Sequence, residues 1–170
     1  TRPERKSPKS KRVIIFSPHP DDDVVSMGGT FDRLVSQGHE VHIAYQVKGN
    51  IAVSDHDALK FIEVSKDLFK NESQVPVSDL INELKNNKPD KIDSQAVRNL
   101  KGFIRKREAI AATRYIGIPD SNTHFLNLPF YDTGRIKKNP PTKKDILITA
   151  SLINRIKPHQ IFAAGDLEDP

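Results

Sequence analysis

Four short apolar runs, separated by segments of helical periodicity, set the tightest limit on how this chain folds. The first, Val13-Ile14-Ile15-Phe16, is continuous and has no polar face, as in strands buried on both sides of a parallel sheet. The second, over residues 41–47, carries Val41, Ile43, Tyr45 and Val47 on one side. The third and fourth are predicted over residues 125–128 and 160–164. The helix after the first run is predicted to open at Val24, to place Val24, Met27, Phe31, Leu34 and Val35 on one face, and to stop at Gly38. Ser54-x-x-Asp57 reads as a helix cap ahead of Ala58, Leu59, Ile62 and Leu68. The polar stretch 71–95 holds a short helix over about residues 78–86. A long helix follows over residues 94–116, ended by Gly117 and Pro119, and Thr142-x-x-Asp145 starts another that ends before Pro158. Strands joined by helical crossovers predict an α/β domain with a Rossmann-like, mostly parallel sheet flanked by helices.

Composition narrows the function. A chain of 170 residues supports one ordinary core. It has no membrane-length apolar run and no signal-peptide pattern, so no membrane role is expected. With no cysteine, disulfides and thiolate metal ligands are excluded, as suits a reducing cytoplasm. The formal net charge of +5 resides in residues 1–12, where Arg2, Arg5, Lys6, Lys9, Lys11 and Arg12 face only Glu4. That segment reads as a basic linker ahead of a domain over residues 13–170. It has no aromatic residues for base stacking, and no nucleic-acid partner is expected. Met27 is the only methionine, so the residues given are expected to be part of a longer protein. A homo-oligomer stays open.

Polar side chains gather where the strands end. Ser17-Pro18-His19-Pro20-Asp21-Asp22-Asp23 brings one imidazole and three carboxylates out of the first strand between two prolines, whose fixed φ stiffens the turn. Ligands bind at such loops in open α/β sheets, and a histidine with carboxylates is ligand chemistry for zinc. Acidic residues at a helix start also cap N–H groups and offset the dipole. That accounts for Asp23 and one neighbour, whereas three adjacent carboxylates repel one another unless a cation sits among them. The later loops supply residues 48–50, Tyr131-Asp132 and residues 166–169 to the same edge. Asn50 stands where a carboxamide can meet a sugar hydroxyl, and Asp132 and Asp166 are expected at the rim. Gly28-Gly29 is expected to allow close packing, and Lys137, Lys138, Lys143 and Lys144 to form a solvated surface.

Pro18-His19-Pro20-Asp21-Asp22-Asp23 resembles the Pro/Ala-His-Pro-Asp-Asp-Glu signature of the PIG-L/LmbE-like N-acetylglucosaminyl deacetylases, with Asp23 in place of Glu. The resemblance runs from Arg12 onward. It implies a zinc-dependent hydrolase that removes an acetyl group from an N-acetylglucosamine-type amino sugar. It also implies His19 and Asp22 as zinc ligands, Asp21 as general base, and Arg105 of Arg105-x-x-Glu108 as a substrate contact. The stretches 49–53, 127–134 and 164–170 are similar to a subgroup in which this domain ends bacterial proteins labelled glucosamine-6-phosphate deaminase/isomerase. A missing N-terminal deaminase-like domain is implied, with residues 1–12 as its linker.

The family draws a third zinc ligand from a His-x-x-His-type motif after a later strand. The resemblance therefore implies a domain truncated at its C-terminal end, a third ligand beyond Pro170, and weak zinc binding and activity in these 170 residues. His39-x-x-His42 has the spacing, but on a strand its two rings face opposite ways. His56, His124 and His159 fall away from the carboxyl edge.

The chemistry is consistent with that assignment. Zinc lowers the pKa of water to about 7, and a carboxylate beside the metal but not bound to it can take the second proton. Two other classes use some of the same residues. Asp21-x-Asp23-x-Val25 with Gly165-Asp166-x-x-Asp169 fits a haloacid-dehalogenase-like phosphatase, with Asp21 as nucleophile, Asp23 as acid and magnesium among the carboxylates. Pro18-His19-Pro20 intervenes where that nucleophile would directly follow the strand. A non-catalytic sugar- or sugar-phosphate-binding or structural domain is the other.

Overall fold

The computed structural model describes residues 10–68, 77–88, 91–131 and 137–163. Among these the order is β1 (Arg12–Ser17), α1 (Asp22–Ser36), β2 (Glu40–Tyr45), α2 (Asp55–Leu68), α3 (Val77–Lys85), α4 (Gln95–Ile116), β3 (Thr123–Phe125), α5 (Lys143–Ile156) and β4 (Gln160–Ala163). The strands form one sheet in the order β3-β2-β1-β4, and every pairing is parallel. This is the Rossmann-like α/β architecture predicted from the alternation of strand and helix patterns.

β1 has no polar face because both sides of it are covered. Val13 and Ile15 join Val41, Ile43 and Tyr45 of β2 beneath Phe31 and Leu34 of α1 and Ala109 of α4. On the opposite face Ile14, Phe16 and Ala44 meet Leu152 and Ile156 of α5. Each such side chain contributes roughly 1.5–3 kcal/mol when fully buried. A separate cluster of Val53, Ala58, Ile62, Leu84, Val97 and Ile104 binds α2 and α3 against α4 beside the sheet. Lys101 locks that unit, its ammonium 2.6 Å from Asp55 and 2.8 Å from Asp93.

The helix signals act as expected at most ends. Ser54 accepts from the Asp57 N–H, Ser94 from the Val97 N–H, and Thr142 with Asp145 forms a reciprocal capping box. Gly117 ends α4 in the left-handed conformation at φ 94°.

Several expectations are corrected. The start of α1 is Asp22 rather than Val24, because the Asp21 carbonyl accepts from the N–H groups of Val24 and Val25. The inward stripe is thereby Asp23, Met27, Phe31, Leu34 and Val35; Asp23 is 1% exposed and Val24 41%. Leu68 is 71% exposed, since α2 buries only Ala58 and Ile62. β3 begins and ends earlier than expected, although the chain continues along β2, with Leu126 and Leu128 donating to the carbonyls of Tyr45 and Gln46. Gly28 and Gly29 pack against nothing, because a Cβ at either would find no atom within 4 Å. β1 starts one residue before the predicted strand, and the Arg12 guanidinium donates to the carbonyls of Ile156 and Lys157 at the end of α5. Among the described residues no helix is long and apolar enough to cross a membrane.

Candidate active site

Parallel strands deliver the loops after β1, β2 and β3 to one edge, and a cavity of about 420 Å³ opens between them. That volume suits a small ligand. Its walls include His19, Asp21, Asp22, Asn50 and Arg105, together with Asn127 and Tyr131. All five residues singled out for the site thus meet in one cleft.

The turn between β1 and α1 is organised from beneath by Ser17. Its hydroxyl donates to the His19 carbonyl at 2.6 Å and accepts from the Asp23 N–H at 3.0 Å. Asp22 Oδ2 accepts from the His19 N–H at 2.8 Å and lies 3.0 Å from His19 Nδ1. The other ring nitrogen, Nε2, lies 2.7 Å from the Tyr131 hydroxyl. Asp21 turns toward α4, where the Arg105 guanidinium meets it at 2.8 Å and meets Glu108 at 2.7 Å. Asp23 points into the core and accepts from the Tyr45 hydroxyl at 2.8 Å. Burial pushes the Asp23 carboxyl above its ordinary range, although the Tyr45 hydrogen bond works the other way. Burial and the neighbouring Asp23 carboxylate likewise push Tyr45 up, which keeps its hydroxyl a donor.

The three adjacent carboxylates therefore diverge toward a histidine, an arginine and a tyrosine. Asp23, the acid of the phosphatase reading, is 1% exposed with its carboxylate on Tyr45 and is not among the residues lining this cleft. The companion acidic motif of that reading, Asp166 and Asp169, lies outside the described residues, as does Asp132.

The facing wall follows β2. Gly49 adopts φ 68°, and a Cβ there would lie 2.7 Å from Pro20 Cδ, so only glycine lets this loop press on the His19–Asp21 turn. It leads into a 3-10 turn, Asn50–Ala52, that presents Asn50.

His19 and Asp22 are the cleft residues whose donor atoms could hold a metal. Both side chains are about one-third exposed toward the cavity, and Nδ1 and Oδ2 are close enough to face one ion. An imidazole with a carboxylate suits zinc. The described residues contain no group of three His, Asp or Glu placed to hold a metal.

The other histidines lie elsewhere. His39 Nδ1 accepts from the Lys11 N–H and His159 Nδ1 from the Arg12 N–H, while His56 is exposed at the start of α2. His42 stacks on His124, with ring centroids 5.3 Å apart, on the α5 face of the sheet. Burial, with help from His42 and Arg155, lowers the His124 pKa to about 4. Sequence reading placed Tyr131 at the carboxyl edge and Asn127 in the 127–134 stretch similar to the subgroup, but gave neither a role in the site.

Residues 14–169 match the PIG-L family, described as GlcNAc-PI de-N-acetylase. A protein of Bacteroides thetaiotaomicron, named as glucosamine-6-phosphate deaminase-like, is 51% identical over 176 residues. The match takes in 99% of this chain but 26% of that relative, so the chain spans about a quarter of the relative's length.

Proposed function

The chain belongs to the PIG-L family of GlcNAc-PI de-N-acetylases, and from that premise we propose that its cleft hydrolyses the acetamide of an N-acetylglucosamine-type amino sugar. His19 and Asp22 hold zinc, Asp21 is the general base, and Arg105 and Asn50 contact the sugar. The observation that carries this reading is the convergence of His19, Asp21 and Asp22 on one cavity wall, with Arg105 and Asn50 beside them.

When bound, zinc supplies Lewis acidity, lowering the pKa of water to about 7 and polarising the amide carbonyl. The residues do the rest. Asp21 Oδ2 is held by Arg105 at 2.8 Å, and the carboxylate caps no N–H of α1, so it is oriented and half-exposed toward the cleft. It takes the proton of the attacking water and returns it to the departing nitrogen. The water oxygen bonds to the carbonyl carbon as the carbon–nitrogen bond breaks, and the acid's remaining proton passes to the amine, giving acetate and an ammonium group. Asp22 and the His19 ring are fixed by the turn bonds around Ser17. Catalytic zinc sites take three protein ligands, and the third comes from outside the described residues. The domain serves as part of a larger glucosamine-6-phosphate deaminase-like protein of the cytoplasm.

The test is acetate release from N-acetylglucosamine-type sugars by the full-length protein. Turnover should be lost to a zinc chelator and restored by zinc. Asp21→Asn should lower kcat by about 10²–10⁴-fold while zinc content holds. Magnesium-dependent phosphate release would establish phosphatase chemistry instead, and sugar binding without turnover a non-catalytic domain.

A further inference from the structure

Tyr131 reaches His19 from 112 residues away, and its hydroxyl sits 2.7 Å from Nε2. The two rings meet edge to face, with centroids 5.5 Å apart and planes at 77°. The 3-10 turn Pro129–Tyr131 that carries the tyrosine is itself anchored. Phe130 N–H donates to Asp145 Oδ1 at 3.0 Å, and the other oxygen of that carboxylate accepts from the Thr142 N–H at 2.8 Å in the α5 capping box. Asn139 N–H donates to the Phe130 carbonyl at 2.9 Å, and the Lys138 ammonium lies 4.8 Å from the Tyr131 ring centre. The start of a helix on the far face of the sheet thus fixes where this hydroxyl stands.

We propose that Tyr131 is a positioning residue for His19, holding Nε2 in both tautomers of the ring so that Nδ1 stays aimed at the point it shares with Asp22. A neutral imidazole has one donor and one acceptor nitrogen. When Nδ1–H donates to the Asp22 carboxylate, Nε2 must accept, and the tyrosine hydroxyl donates. When the Nδ1 lone pair is needed for a metal, the proton sits on Nε2, and the same hydroxyl accepts. A carbonyl or carboxylate at this place could only accept and would serve one of the two states. A hydroxyl turns to suit both without moving the ring. The metal side of this proposal rests on the function proposed above; the contact itself does not. Outer partners of metal-bound histidines typically change metal affinity by about 10–100-fold when removed.

The test compares wild type with Tyr131→Phe, which keeps the aromatic ring and deletes the hydroxyl, after confirming equal thermal midpoints. Zinc alone is titrated calorimetrically, and histidine ring nitrogens are observed by ¹⁵N NMR in metal-free and zinc-loaded protein. The expected result is zinc affinity about 10–100-fold weaker in the variant. The Nε2–H proton of His19, protected from exchange in loaded wild type, should exchange rapidly in the variant. Unchanged affinity together with an unchanged Nε2 signal would overturn the proposal. If wild type binds no zinc at His19, the underlying function fails, and the metal-free spectrum decides the contact. A shifted Nε2 resonance in Tyr131→Phe supports the positioning role, and an unshifted one refutes it.

Discussion

Replacing Gly49 with alanine perturbs the cleft where the loop after β2 presses on the His19–Asp21 turn. Gly49 lies at φ 68°, and its added Cβ would stand 2.7 Å from Pro20 Cδ and 3.1 Å from Cγ. Ordinary carbon contacts lie at about 3.5–4.0 Å, so something must move by nearly 1 Å. Pro20 has a rigid ring in a buried position, and it yields poorly. The left-handed backbone costs an alanine about 1–2 kcal/mol, offset by about 0.4–1 kcal/mol from a stiffer unfolded chain. The overlap adds about 1–3 kcal/mol. A loss of about 2–4 kcal/mol should lower Tm by about 5–15 °C in a domain of this size. Gly38→Ala is the control: Gly38 lies at φ 76° with no atom within 4 Å of its Cβ position, so it bears the backbone strain alone. Urea unfolding of the two variants separates strain from overlap. Pro20 stands between His19 and Asp21, so Gly49→Ala should also weaken zinc binding, and Gly38→Ala should leave it intact. Equal destabilisation by the two substitutions would refute the claim that Pro20 and Gly49 are in forced contact.

Lys101→Met should cost about 3–5 kcal/mol by urea unfolding, because it leaves Asp55 and Asp93 facing each other without the buried ammonium between them. Asp23→Ala should cost at least about 1–3 kcal/mol by leaving the buried Tyr45 hydroxyl without its acceptor; a stability equal to wild type would contradict the structural role given to Asp23. The His124 pKa is lowered to about 4 from 6.5, so between those values the unfolded chain binds a proton that the folded chain does not. Stability should therefore fall as pH drops from about 6.5 toward 4, and His124→Gln should flatten that part of the profile; an unchanged profile in the variant would move the cause elsewhere.

β1 was legible because burial on both faces leaves residues 13–16 with no polar position, whereas β3 is only three residues long and lies earlier than its apolar run suggests. Caps at Ser54 and Thr142 were legible because a side chain three residues from its partner is a local geometry; the Ser94 cap was not singled out. The start of α1 was not. Asp21–Asp23 reads as polar loop until Tyr45, on the next strand, supplies the hydroxyl that lets Asp23 enter the core. Convergence of His19, Asp21, Asp22 and Asn50 followed from parallel topology, which sends each loop to the same edge. What Asp21 and His19 touch did not follow. The Arg105 contact depends on the rotation of α4, and the Tyr131 contact on a turn anchored by α5. The His42–His124 stack is likewise a cross-strand pair, invisible without the β2–β3 register.

The central claim is that His19 and Asp22 hold the catalytic metal, and anomalous diffraction at the zinc edge from crystals of the zinc-loaded full-length protein tests it most directly. The expected result is one strong peak about 2.0–2.2 Å from His19 Nδ1 and an Asp22 carboxylate oxygen, with Asp21 beside it and unligated. A peak at another site, such as the His42–His124 pair, or no peak in the cleft at saturating zinc, would contradict it.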